Sequence, residues 1–224
     1  MEKASIRQKG KSAANLTAAG MSAKILLSLT QLIPTLRFAG YAVFVGVACF
    51  FVAEAIEKTP KSQSALRFGS FWSDLKKPTV LLWVLLPVVT AIVPILLGDL
   101  NFDHAFSAHV VGRVDGMLSF ENILLLVCQV VILALGEEIA WRGFFLERSM
   151  RRFPFLLCAV VSSVLFAMGH ISDAGIALLL YDLSFVLIDS ILFSVIYKKS
   201  GNCLVSAASH VLGNAVGLMA CLLL

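Results

Sequence analysis

The sequence predicts an all-α protein: a polytopic transmembrane helix bundle of about six spans, preceded by an N-terminal interfacial helix. Three observations carry this expectation. Hydrophobic residues make up 59% of the 224-residue chain and charged residues only 14%, where a soluble domain of this size carries about 25% charged residues. The apolar residues fall into runs close to the ~20 residues that cross a bilayer. The charges gather in the short segments between those runs. Such a surface suits lipid rather than water, so membrane lipid is an expected partner. The net charge of +4 is spread over those clusters, which reads as membrane topology and not as a nucleic-acid interface.

Residues 1–24 are polar and basic, with Lys3, Arg7, Lys9 and Lys11 among Gly and Ala, and are expected to be a flexible lead-in. Residues 25–224 form a single membrane domain. The apolar stretch 25–35 lacks the small-residue cleavage site of a signal peptide, and more apolar sequence follows Arg37. Residues 22–36 therefore read as a helix lying along the interface or extending the first span. Spans are expected at 38–56, 78–98, 119–145, 154–172, 174–197 and 202–224. The second and last are nearly free of charge, whereas the third, fourth and fifth carry ionisable groups.

Lys and Arg placement sets the topology. Loop 57–77 (Lys58, Lys61, Arg67, Lys76, Lys77), the turn with Arg148, Arg151 and Arg152, and the turn with Lys198 and Lys199 belong on the cytoplasmic side. Loop 99–118, with Asp99, Asp103 and Asp115 against Arg113, faces out, and its His104 and His109 are expected to be exposed. The basic N-terminus conflicts with this scheme, because a single first span leaves it outside. Either 22–56 crosses or dips twice, or synthesis begins at Met21. The five cysteines, Cys49, Cys128, Cys158, Cys203 and Cys221, lie in apolar runs without a C-x-x-C pair and read as small buried thiols. The terminal Cys221-Leu-Leu-Leu224 has only the form of a prenylation signal, because it lies inside a helix with no polybasic stretch beside it.

A charged side chain at the centre of a membrane helix costs about 2.5–3.5 kcal/mol on insertion scales, so such residues are functional candidates. Glu137 and Glu138 are adjacent and lie about 100° apart around a helix. Glu138 and Arg142 are spaced i, i+4 and can pair along one face, which leaves Glu137 free to face the bundle interior. The structural alternative is an ion-paired strut. His170 stands one turn beyond Phe166, as a base or as a hydrogen-bonded packing residue. His210 and Asn214 share a face of the last span, as a functional pair or as an interhelical hydrogen-bond pair. The small residues around them (Ser206, Ala207, Ala208, Gly213, Gly217) permit close helix approach. Asp182 and Asp189 share a face of the fifth span, either as a polar wall along a water path or as partners of neighbouring helices. Glu54 can snorkel from its span end. Trp141, Phe144 and Phe145 line a lipid-facing gate or simply pack. Taken together, a carboxylate, two imidazoles and an amide suffice to deprotonate water and stabilise an oxyanion.

At about 1.5 Å per residue, Glu137 lies roughly 16 Å from Arg148, and His210 and Asn214 roughly 13 and 19 Å from Gly201, so their heights match. His170, roughly 24 Å from Pro154 by the same measure, is too deep unless its helix begins outside the bilayer or tilts.

The ordered set Glu137-Glu138-Ile-Ala-Trp-Arg142, Phe166-Ala-Met-Gly-His170 and His210-Val-Leu-Gly-Asn214, on successive hydrophobic helices, resembles the CAAX prenyl protease and bacteriocin-processing (CPBP) family of intramembrane endopeptidases. The basic turn Tyr197-Lys-Lys-Ser-Gly201 also resembles the family's lead-in to its last helix. The resemblance covers residues 130–220, within a family core at about 119–224. It implies that Glu137 and His170 activate water, that His210 and Asn214 stabilise the oxyanion, and that Glu138 and Arg142 hold the site together. The implied partner is a peptide or protein substrate, possibly lipidated; the small size and the absence of organelle signals point to a bacterial cell membrane, with the chain crossing it several times. No cofactor is expected. The alternative is zinc on Glu137, His170 and His210, a His₂Glu set of the kind zinc hydrolases use, although the short H-E-x-x-H spacing is missing. Competing readings are a non-proteolytic scaffold or bacteriocin-immunity protein built on the same core, and an ion or proton carrier using Glu137, Asp182 and Asp189.

Overall fold

Apolar segments destined for lipid must satisfy their own backbone groups, and helices do so within each segment. The computed structural model describes residues 2–33 and 35–223, and among these every regular element is helical. Met1, Pro34 and Leu224, which fall in the expected lead-in, interfacial helix and last span, lie outside the described residues. The helices are α1 (Glu2–Leu29), α2 (Tyr41–Glu57), the short α3 (Phe71–Leu75), α4 (Pro78–Asn101), α5 (Ala105–Val114), α6 (Ile123–Met150), α7 (Phe155–Met168), α8 (Ile176–Ser200) and α9 (Cys203–Leu223).

Four of them, α4, α6, α8 and α9, are long and apolar enough to cross a membrane. Their outward faces carry exposed Leu82, Leu100, Ile123, Ile132, Ile176 and Leu223, an apolar belt that water would not tolerate. Six spans were expected. The two remaining candidates, 38–56 and 154–172, appear as α2 and α7, helices of 17 and 14 residues. Turn residues at Gly40 and at Gly169–His170 shorten them below the usual spanning length.

The N-terminal segment differs from its expectation. Residues 1–24 were read as flexible and 22–36 as an interfacial helix, but residues 2–29 form one continuous helix packed along α2. Lys24 explains part of the difference. Its Nζ donates to the Ala42 carbonyl at 2.9 Å and lies 3.7 Å over the Trp141 ring, fully buried. Gly20 lies so close to α2 and α6 that a Cβ there would meet Cys49 Sγ at 2.6 Å. Gly20 faces Cys49 while Lys24 faces Ala42, so α1 and α2 run antiparallel. The chain therefore doubles back between Leu29 and Tyr41, and the start of α1 lies toward the end of α2 that carries Glu57.

Those basic loops are tied together at one end. Arg148 and Arg151 both pair with Glu57. Asn202 donates from Nδ2 to the Arg67 carbonyl at 2.8 Å and to Asp74 Oδ2 at 3.2 Å, while Lys77 donates to Asp74 Oδ1 at 2.7 Å. Burial opposes the charge of Asp74, but the hydrogen bonds from Lys77, Ser70, Asn202 and Arg67 outweigh it and hold the carboxyl well below the usual carboxylate range. Glu54 accepts from Ser64 Oγ at 2.9 Å in the same region.

Packing around the site depends on small residues and on proline. Pro87 and Pro94 lie inside α4. Gly213 and Gly217 of α9 face Pro87 and Ala91 across the α4–α9 contact, where an added Cβ would stand 3.4 Å from the Pro87 carbonyl oxygen and 3.5 Å from the Ala91 Cβ. This is the close approach the small-residue stripe of α9 predicts. Polar groups satisfy backbone near the prolines: Ser209 Oγ donates to the Val84 carbonyl at 2.7 Å, and Tyr181 Oη to the Pro94 carbonyl at 2.9 Å. Residues Ile139–Leu146 of α6 form a π-helical segment, and all eight are buried. Trp141, Phe144 and Phe145 thus belong to the core and not to a lipid-facing gate. Cys158, Cys203 and Cys221 are buried as expected, but Cys49 is half-buried and Cys128 is exposed on α6, where an apolar environment serves as well as a core.

The tightest crossing lies between α2 and the π segment, where a Cβ on Gly46 would meet Ala140 Cβ at 2.6 Å, Ala140 Cα at 2.9 Å and Lys24 Nζ at 2.9 Å. Because backbone must move, Gly46→Ala is expected to cost about 1–3 kcal/mol. A thermal-unfolding series in detergent checks this, with Gly69→Ala as control, since nothing lies within 4 Å of a Cβ there.

Candidate active site

The site begins with the glutamate pair on α6, just before the π segment. Glu138 points into the protein and is wholly buried, as is Arg142. Arg142 Nη1 donates to Glu138 Oε1 at 2.8 Å, and Nη2 donates to the carbonyl and Oγ of Ser190 on α8 at 2.7 and 2.8 Å. The i, i+4 pairing read from sequence is present, and its arginine also bolts α6 to α8. Glu138 Oε2 and Arg142 Nε have no hydrogen-bond partner among the described residues.

Glu137 turns the other way, a quarter of its side chain open (25%), and lines a cavity of about 530 Å³. His210 connects the two carboxylates. Its Nδ1 lies 3.1 Å from Glu138 Oε1, and its Nε2 lies 3.6 Å from Glu137 Oε2. Because a carboxylate accepts, Nδ1 carries the proton toward Glu138. The imidazole stacks on Phe193, with centroids 4.4 Å apart, which fixes its plane.

His170 follows the end of α7. The helix stops at Met168, the chain turns through Gly169, and the ring folds back so that Nδ1 donates to the Phe166 carbonyl at 2.9 Å. That bond leaves Nε2 as the acceptor nitrogen. His170 lies in the turn beyond a 14-residue helix, and its ring reaches the cavity by folding back toward Phe166. Phe166 stands between the two imidazoles, with centroids 4.6 Å from His170 and 6.2 Å from His210. Glu137, His170, His210 and Asn214, from three separate segments, all line the one cavity. The Asn214 amide makes no hydrogen bond among the described residues, so its donors are available to a guest.

The aspartates of α8 line the same cavity but are engaged. Thr90 Oγ1 donates to Asp189 Oδ1. Asp182 accepts from Arg113 and faces His109 Nε2 at 3.2 Å. His104 is exposed as expected, but His109 is not, its side chain being only 8% accessible. The reason is that the expected outward loop 99–118 contains α5, which packs on α4 and α9 over the cavity. Sequence reasoning missed Arg113 and His109 as cavity-side residues. The available signal was the run Phe106, Val110, Arg113, Val114, one face of a short helix with a charge in it.

The zinc alternative can be tested on the donors themselves. Nδ1 of His210 faces Glu138 and Nδ1 of His170 is bound to a carbonyl, which leaves Nε2 of each without a hydrogen bond among the described residues. Glu137, His170 and His210 share the cavity, but among the described residues no three His, Cys, Asp or Glu side chains group closely enough to hold an ion.

Residues 119–216 match the family model of type II CAAX prenyl endopeptidases, Rce1-like. The stretch is somewhat under half of the chain and contains all three motifs. No curated protein and no solved structure matches the chain. The site-bearing segment of this integral membrane protein is therefore similar to the type II CAAX prenyl endopeptidase, Rce1-like family of proteases.

Proposed function

We propose that the protein is an intramembrane endopeptidase that hydrolyses a peptide bond of a membrane-associated or lipidated substrate, with water activated by Glu137 and His170 and without a metal. One observation carries the reading: a carboxylate, two imidazoles and an unengaged amide from three segments line one cavity inside an apolar bundle.

In this mechanism the scissile carbonyl sits between the α6 and α9 side chains. Water hydrogen-bonds to His170 Nε2, whose acceptor state the Phe166 carbonyl enforces, and Glu137 takes its proton as oxygen attacks the carbonyl carbon. His210 Nε2–H and the Asn214 amide donate to the oxyanion. The ring nitrogens of His210 lie 3.6 Å from Glu137 and 3.1 Å from Glu138, which hold the imidazole at this position. When the tetrahedral intermediate collapses, the C–N bond breaks and Glu137 returns its proton to the leaving amine. Arg142 offsets the charge of Glu138 and stays out of the chemistry. The apolar lining from Val110, Val114, Met117, Leu118 and Leu133 offers a surface for an alkyl or prenyl chain.

The test uses the protein in proteoliposomes with an S-farnesylated peptide ending in a CAAX pattern. Wild type should release the C-terminal fragment, read by mass spectrometry. His170→Ala should lower kcat/KM at least about a hundredfold, as expected for loss of a group that handles the water, with helicity and elution position retained. Equal turnover by the variant defeats the assignment.

A further inference from the structure

Arg113 belongs to none of the three motifs and lies before the matched stretch, yet its side chain shares the cavity with Glu137 and His170. Only one edge of its guanidinium is committed. Nη1 donates to Asp182 Oδ2, an oxygen that also faces His109, and Asp182 is buried. Nε and Nη2 make no hydrogen bond among the described residues, and the side chain remains 20% accessible. The other cation of the lining, Arg37, is different: both of its terminal nitrogens are bound to the two oxygens of Asp173. Arg113 is thus a cation of the lining with donors to spare, held in place by a buried carboxylate and directed into the chamber where the peptide would lie.

A guanidinium with two unengaged donor positions away from bulk water selects a carboxylate, through short charge-assisted hydrogen bonds. Of the carboxylates lining the cavity, Asp189 is engaged by Thr90, Asp182 by Arg113, and Glu137 has His210 as its charged neighbour. A peptide backbone is neutral, so its contribution is a terminal carboxylate or an acidic side chain.

We propose that Arg113, positioned by Asp182, anchors a carboxylate of the substrate in the cavity and so orients the peptide with that carboxylate toward α5. The inference rests on the peptidase reading for the identity of the guest as a peptide. It adds a specificity residue on an element outside the matched family segment, and it makes α5 part of the binding chamber and not a connecting loop.

The experiment measures binding and cleavage separately, on full-length protein in detergent. Fluorescent S-farnesylated CAAX-pattern peptides are prepared as the free acid, as the C-terminal amide, and as an amide with Glu at the last position. Wild type should bind the free acid at least about tenfold more tightly than the plain amide, as charged hydrogen bonds of this kind allow. In Arg113→Gln that ratio should fall toward one. In Asp182→Asn, which leaves Arg113 charged but removes the carboxylate that positions it, the ratio should fall part of the way toward one, so the proposal does not depend on one variant folding. Recovery of Arg113-dependent binding by the Glu-bearing amide assigns the anchor to side-chain carboxylates; failure to recover assigns it to the chain terminus. Absence of any Arg113-dependent preference, whether the peptides bind equally or not at all, overturns the proposal. Selective binding without hydrolysis keeps the anchor and defeats the peptidase reading, whereas hydrolysis without preference does the reverse.

Discussion

Glu137→Gln is expected to reduce peptide hydrolysis at least about a thousandfold while the protein remains folded. The substitution keeps the shape of the side chain and removes its capacity to accept a proton, and general-base catalysis contributes about 10²–10⁴-fold. Glu137 is suited to this test because it is not part of the structural ion pair. Its nearest charged contact is His210 Nε2 at 3.6 Å, and it opens onto the cavity. The measurement is kcat/KM in proteoliposomes alongside thermal unfolding of the same preparation. A loss smaller than about tenfold would remove Glu137 from the chemistry. Full biological activity with no hydrolysis would favour a scaffold that retains the core for binding.

The second large effect is structural. Arg142→Met should destabilise the protein by about 3–5 kcal/mol, the usual cost of removing one partner of a buried ion pair. Glu138 and Arg142 are both wholly buried, so the carboxylate left behind has no access to water. Arg142 also carries the two hydrogen bonds to Ser190 that join α6 and α8. The double variant Glu138→Gln/Arg142→Met should regain part of that loss, because the orphaned charge is gone. Unfolding midpoints of the four proteins in detergent complete the cycle. A single-variant loss below about 1 kcal/mol would show that the pair does not hold the bundle together.

The parts of the site that were legible in sequence are those set by local geometry. Glu138 and Arg142 pair because they are one helical turn apart, and this survives even though the intervening backbone is π-helical. His210 and Asn214 share a cavity face for the same reason. The all-α class was legible from composition. What stayed hidden depends on distant partners. His109 and Arg113 looked like loop residues until their common partner, Asp182, some seventy positions along the chain, was in view. Lys24 fell inside the segment 1–24 expected to be a flexible lead-in, but its partners are a carbonyl on α2 and an indole on α6. Six spans are not confirmed, because Gly40 and Gly169–His170 stop apolar runs that composition alone would continue.

The anchorage of Asn202 has a consequence for the chemistry. Its side chain fastens the start of α9 to Arg67 and Asp74 and accepts from Leu204 N, while Cys203 N donates to the Ala65 carbonyl at 2.8 Å. His210 lies eight positions further on, roughly 12 Å up the rod at about 1.5 Å per residue. The altitude at which its imidazole meets the two glutamates is therefore set from the foot of the rod, like a depth stop. Insertion of one residue between that foot and His210 would lift the ring by about 1.5 Å and swing it through about 100°, disengaging it from both carboxylates at once without altering any group that takes part in the reaction.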